Sequence, residues 1–215
     1  ESREILQAYE IKIPNSDIAD TPEKAVAIAN KIGYPVVLKI ASPDILHKTD
    51  VGGVKIGLEN EEELVDAYEL MVYRANRYIP DARIWGCLVQ EMVPAGGLEI
   101  LIGMNKDPQF GPLVTFGLGG IYVETLKDVT FRVSPFSEQE AYQMLTEINA
   151  HALLDGVRGK PPVDKPAIVD VLLKINQLVL DFPEITELDI NPLVVYSPGN
   201  GALALDMRLI LAKGN

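Results

Sequence analysis

The spacing of apolar positions changes period repeatedly along this 215-residue chain, and each change predicts a switch between helix and strand. Ser2 is placed to cap a short helix through Tyr9, and IKIP, residues 11–14, reads as a brief strand stopped by proline. Thr21 as N-cap, Pro22 at the first helical position, apolar Ala25, Val26, Ile28, Ala29 and Ile32, and Gly33 as terminator predict a helix over Pro22–Ile32. VVLKI is a strand, and a long connection over residues 41–53 separates it from the strand VKIGL. Asn60 and three glutamates then open a helix to about Arg77, the acids favouring its positive end. ARIWGCLVQEM and LEILIGM read as strands joined by VPAGG, a link too short for a parallel crossover, so an antiparallel hairpin is expected. Beyond TFGLGG, a strand near Val129 to Val133 precedes a helix with Ser137 and Glu140 as its capping box, running to about Ala150. A loop rich in Gly and Pro leads to the helix Ala167 to Asp181. ITELDI, LVVY and ALALDMRLIL, the last after the turn SPGNG, complete the chain as strands.

Hairpins mixed with helices point to α+β rather than a doubly wound parallel sheet. FGLGG lacks the GxGxxG spacing and no GxxxxGK[ST] occurs, so the Rossmann and Walker readings fail. Composition narrows the function. With 19 basic against 31 acidic residues the net charge is -12, which argues against capture of nucleic acid or anionic membrane. Cys87, the single cysteine, lies in the apolar run IWGCLVQ and is expected as a buried strand residue. No apolar run approaches the ~20 residues of a membrane span, and ESREILQAYEIKIP lacks a basic region followed by an apolar one, so a cytoplasmic protein is expected.

Three places could carry chemistry. Asp189 and Asn191 in ELDINPL are two apart on a strand and share a face, and Asp206 in LALDMRL lies across from them if the last strands pair antiparallel. Two carboxylates and an amide oxygen suit a hard cation such as Mg²⁺, although Asn-Pro is also a common turn signal. Lys39 shares its side with Val37, and such a half-buried lysine calls either for an anion such as phosphate or for an edge-strand position. Glu91 and Glu99 flank VPAGG, where backbone groups could read an adenine edge and a glutamate the ribose. The long loop carries His47, one of only two histidines. With roughly six residues on either side its ring could travel on the order of 20 Å, and a neutral imidazole is a competent nucleophile toward phosphorus near pH 7. Glu187 is a candidate to fix its tautomer, whereas His151, near a helix end, is given a structural role.

Taken together, YPVVLKIASPDILHKTDVGGVKIGL, QEMVPAGGLEILIGM, FGLGGIYVETLKDVTFRVSPFS and ELDINPLVVY resemble the ATP-grasp subunit of ADP-forming acetyl-CoA synthetases, relatives of the succinyl-CoA synthetase beta chain, from about Ile5 to Leu211. The resemblance implies one ATP-grasp domain over residues 1–215, with α+β subdomains of mixed or antiparallel sheets at about 15–90 and 91–215 that grip ATP. It implies acyl-CoA + ADP + phosphate ⇌ carboxylate + ATP + CoA, with Mg²⁺, a phosphohistidine relay and a CoA-binding alpha partner in an α2β2 assembly. By the same resemblance His47 is the loop phosphohistidine, Lys39 the phosphate lysine, Glu91, Met92 and Val93 the adenine hinge, and Glu99 the ribose acid. Asp189, Asn191 and Asp206 form the metal region, Arg132 is a phosphate-side arginine, and Glu187 or Asp189 faces the phosphohistidine. Two alternatives stand beside it: a carboxylate-amine ligase of the ATP-grasp class, which needs no histidine, and an ATP-binding regulatory domain of a larger protein.

Overall fold

In the computed structural model, which describes residues 2–45, 48–120, 128–157 and 159–212, helices form where capping chemistry is complete. The first helix, α1, spans Ser2–Ala8. In α2 (Pro22–Ile32) the Thr21 side chain accepts from the Lys24 N–H, and Gly33 turns the chain away at φ 97°. In α3 (Glu61–Tyr78) the Asn60 side chain accepts from the Glu63 N–H. The Ser137–Glu140 capping box opens α4 (Glu138–Glu147). That helix ends short of Ala150 because the buried carboxylate of Asp128 accepts from the Asn149 and Ala150 N–H groups at 2.7 and 2.8 Å, drawing both donors out of helical pairing. A 3-10 turn, His151–Asp155, follows. Asp164 caps α5 (Lys165–Asp181), which starts two residues before Ala167.

The chain divides into two compact units, Pro14–Pro94 and Glu1–Ile13 with Ala95–Asn215. The smaller has an antiparallel sheet in the order β1 (Ser16–Ala19), β4 (Gly86–Glu91), β2 (Val36–Ala41), β3 (Val54–Leu58). Val36, Leu38, Ile40, Cys87 and Val89 pack one of its faces onto Ala25 and Ala29 of α2 and Leu64 and Met71 of α3. Burial pushes the Cys87 thiol up to about 12, so it is a core residue, as its apolar setting predicts.

In the larger unit the order is β10 (Met207–Leu211), β8 (Ile185–Val195), β5 (Leu98–Asp107), β6 (Gly111–Leu118), β7 (Val129–Val133), with β9 (Ala202–Ala204) beside the end of β8. Even-numbered residues such as Ile102, Met104, Val114, Phe116, Leu188 and Ile190 share a core with α4 and α5. Leu6 and Ile11 join that core.

Two expectations are corrected. IKIP is not a strand, since Ile11 is buried in the larger unit and regular pairing begins at Ser16. LVQEM and LEILIGM do not form a hairpin either. β4 pairs with β1 and β2 in the smaller unit, β5 pairs with β6 and β8 in the larger, and VPAGG joins the two units rather than two neighbouring strands. A short loop excludes a parallel neighbour but does not require any neighbour. The hairpin partner of β5 is β6, around Asp107, whose carboxylate accepts from the Gln109 and Phe110 N–H groups.

Candidate functional site

The two-residue period of β8 sorts its side chains. Leu188 and Ile190 enter the helix-side core, so Glu187, Asp189 and Asn191 lie on the opposite face. Antiparallel pairing continues that face across the sheet: Arg208, Asp189, Gly103, Thr115 and Phe131 stand in one rung. A Cβ on Gly103 would stand in ordinary contact, 3.9 Å from Asp189 Oδ1. The bend between β9 and β10 brings Asp206 alongside, where its carbonyl accepts from the Asn191 N–H at 3.2 Å and its Oδ1 from the Met207 N–H at 3.1 Å. Burial raises the Asp189 carboxyl above the usual carboxylate range; Arg208 pulls it back in part, while Glu187 and Asp206 push it further up. Arg208 donates from Nη2 to Glu187 Oε1. The backbone pairing therefore brings Asp189, Asn191 and Asp206 to one face, with Glu187 beside them. The three supply two carboxylates and an amide oxygen, a donor set that fits Mg²⁺ sharing its coordination with phosphates and water rather than a closed protein cage. Among the described residues no group of three or more His, Cys, Asp or Glu side chains could hold a metal ion.

Sequence reasoning missed Arg208 and placed Arg132 instead. Arg132 pairs with Val114 in the even-numbered register, which is the helix side, opposite to Asp189. There it donates to both carboxylate oxygens of Glu147 at 2.5 and 2.9 Å, and Thr130 Oγ1 donates to the same group at 2.7 Å. These bonds hold the Glu147 carboxyl down at about 2. Because its folded value lies below the ordinary 4.5, the pair stabilises the fold above that pH and the contribution is lost as pH falls from 4.5 toward 2. Acid unfolding followed by circular dichroism should lose part of its steepness in that window in Glu147→Gln. The legible signal for Arg208 was the two-residue spacing in LDMRL, which puts Asp206 and Arg208 in step.

In the smaller unit Lys39 is 8% exposed and lies on β2, an interior strand, so the edge-strand alternative falls. Its register with Leu88 and Val54 sets it on the face away from α2 and α3, together with Val37 and Gln90. Gln90 is 2% exposed, and its Oε1, like the Oγ of its cross-strand partner Ser16, has no hydrogen-bond partner. Two orphaned polar atoms beside a buried lysine fit a polar ligand on this face. Their signal was a lone amide in an otherwise apolar strand. Glu91 ends β4, where its carboxylate accepts from Asn15 Nδ2; exposed Met92 and half-buried Val93 follow in irregular chain. Glu99, in the larger unit, is exposed near the start of β5 on the Asp189 face. The Gly119 N–H donates to its carbonyl at 2.8 Å, and a Cβ on Gly120 would meet its Oε2 at 3.0 Å.

His47 lies outside the described residues. Before it, Asp44 accepts three hydrogen bonds from Arg83 at 2.8, 3.0 and 2.8 Å, and Ile45 is buried. After it, Lys48–Val51 forms a 3-10 turn whose Lys48 carbonyl accepts from the Gly53 N–H at 2.7 Å. The chain is thus held on both sides of residues 46–47. No helix among the described residues is long and apolar enough to cross a membrane.

Comparison with known proteins gives these positions a setting. The model of the ATP-grasp domain family matches residues 1–211. The chain is 48% identical over 211 residues to acetate–CoA ligase [ADP-forming] I subunit beta of Pyrococcus furiosus, covering 98% of this chain and 90% of that protein. It is 46% identical over 209 residues to acetate–CoA ligase [ADP-forming] I of Archaeoglobus fulgidus, where it spans 97% of itself but only 30% of the relative. Among solved structures, acetyl-coenzyme A synthetase 1 of Candidatus Korarchaeum cryptofilum superposes with a TM-score of 0.83 at 43% identity over 98% of this chain and 90% of that one. That structure holds coenzyme A and Mg-AMPPCP, with its phosphohistidine segment pointing towards the nucleotide binding site.

Proposed function

We propose a function from one premise: this chain belongs to the ATP-grasp domain family, in the branch of the ADP-forming acyl-CoA synthetases. It is the nucleotide-binding part of such a ligase, which interconverts acyl-CoA, ADP and phosphate with carboxylate, ATP and CoA. The CoA-binding part is a separate alpha subunit, as the beta-subunit relative implies, or a further stretch of one chain, as in the longer relative. We take the assembly as α2β2 and the setting as cytoplasmic.

His47 carries the phosphoryl group. The unprotonated ring nitrogen attacks the γ-phosphorus of ATP, an N–P bond forms, and the bond to the bridging oxygen breaks. ADP leaves with that electron pair, and the other ring nitrogen keeps its proton. Asp189 accepts a hydrogen bond from that N–H and steadies the developing positive charge. Lys39 neutralises nucleotide phosphates, Gln90 and the hinge Glu91, Met92 and Val93 bind the base, and Glu99 takes the ribose hydroxyls. Asp189, Asn191 and Asp206 would hold Mg²⁺, which when bound neutralises phosphate charge. The observation that supports this most is that Asp189, Asn191 and Asp206 come to one face of the larger sheet, the face turned away from α4 and α5.

The test is ATP formation from acyl-CoA, ADP and phosphate by the protein with its CoA-binding part. A regulatory ATP-binding domain would give none. In equilibrium binding of ADP, Asp206→Asn should raise the Mg²⁺ needed for half-maximal nucleotide binding by roughly tenfold; an unchanged Mg²⁺ titration removes the metal assignment.

A further inference from the structure

A phosphoryl group in transfer spreads negative charge over three equatorial oxygens and depends on donors aimed at them. The strands of the larger sheet carry three basic residues, Lys106, Arg132 and Arg208. Lys106 Nζ donates to the Pro183 carbonyl at 2.5 Å, and Arg132 is closed against Glu147 on the helix side. Arg208 alone of these shares the face of Glu187, Asp189 and Asp206, since it stands directly across from Asp189. Its guanidinium is only partly used. Nη2 donates to Glu187, but the Nε–H is shielded from solvent with no acceptor, and the side chain as a whole is 40% exposed. A closed carboxylate pair uses two of the fork's donors at once, as Arg132 does with Glu147. Here donors of a planar, permanently charged group remain for another oxyanion, beside the carboxylates assigned to Mg²⁺ and the histidine.

We propose that Arg208 contacts the transferring phosphoryl group through its guanidinium, and that Glu187 is the positioning residue that orients it. This rests on the phosphohistidine reading above. It takes the phosphate-side role from Arg132 and gives Glu187 a task other than facing the histidine.

The experiment follows phosphorylation of the protein, with its CoA-binding part present, by γ-labelled ATP and Mg²⁺ in single turnover. Arg208→Gln should slow labelling by ~10²–10³-fold, with ADP affinity changed less than about threefold, because the contact matters most as charge redistributes. Arg208→Lys keeps the charge but loses the fork, so its rate should fall between the two. In Arg208→Ala, added guanidinium ion should restore labelling in a saturable way, which a purely structural role would not allow. Glu187→Gln should lower the rate by about tenfold, less than Arg208→Gln does. Circular dichroism of each variant gives the folded fraction. The proposal is overturned if Arg208→Gln labels at the wild-type rate, or if every variant loses rate only in proportion to its folded fraction and guanidinium restores nothing. Absence of label on the wild-type protein would instead overturn the phosphohistidine reading itself.

Discussion

His47→Asn abolishes acid-labile phosphate on this chain and lowers acyl-CoA-dependent ATP synthesis by at least about 10⁴-fold, the scale of losing a covalent nucleophile. Asparagine fills much of the same space and offers an amide nitrogen with no available lone pair, so the substitution removes chemistry more than shape. Nucleotide affinity should stay within about threefold, because Lys39, Gln90 and the metal-region residues are untouched. Incubation with γ-labelled ATP, acid and base treatment of the product, and equilibrium binding of ADP measure the three quantities. Label that survives in His47→Asn would mean that another side chain carries the phosphoryl group. Full turnover without label would favour direct phosphorylation of the carboxylate, as in the carboxylate-amine ligases.

The second large effect is on stability. Gly86 opens β4 at φ 116°, and a Cβ there would lie 2.0 Å from the Ala19 carbonyl oxygen and 2.8 Å from the Asp20 Cα. Ala19 pairs with Cys87, so the obstruction falls on the ladder that attaches β1 to the smaller sheet. Gly86→Ala combines left-handed backbone strain with a collision against main chain that cannot rotate away. It should cost about 4 kcal/mol and lower the melting temperature by roughly 8–16 °C. A thermal melt within about two degrees of the wild type would show that β1 and β4 can part without loss.

Much of this fold was legible because capping and alternation are local. Thr21, Asn60 and Ser137 set helix starts through bonds made within one turn, and the sequence contains both partners. The strands were legible as strands, but their neighbours were not. Nothing in VPAGG shows that the strands on either side enter different sheets. Register decided the site in the same way: alternation put Asp189 and Asn191 on one face, whereas the rung that adds Arg208 and rejects Arg132 depends on pairings between distant strands. The extent of α4 was lost to Asp128, which sits some twenty residues before the donors it captures.

The unit Pro14–Pro94 is inserted into the other, which therefore draws its core from both sides of the insertion. Leu6 and Ile11 belong to the core that α5 also enters, so during translation they leave the ribosome long before the surface that will cover them. The inserted unit can close its own sheet in that interval, and the segment before it must wait with Leu6 and Ile11 uncovered. That delay is a window in which a chaperone would engage the segment, and slower elongation before α5 should lengthen it.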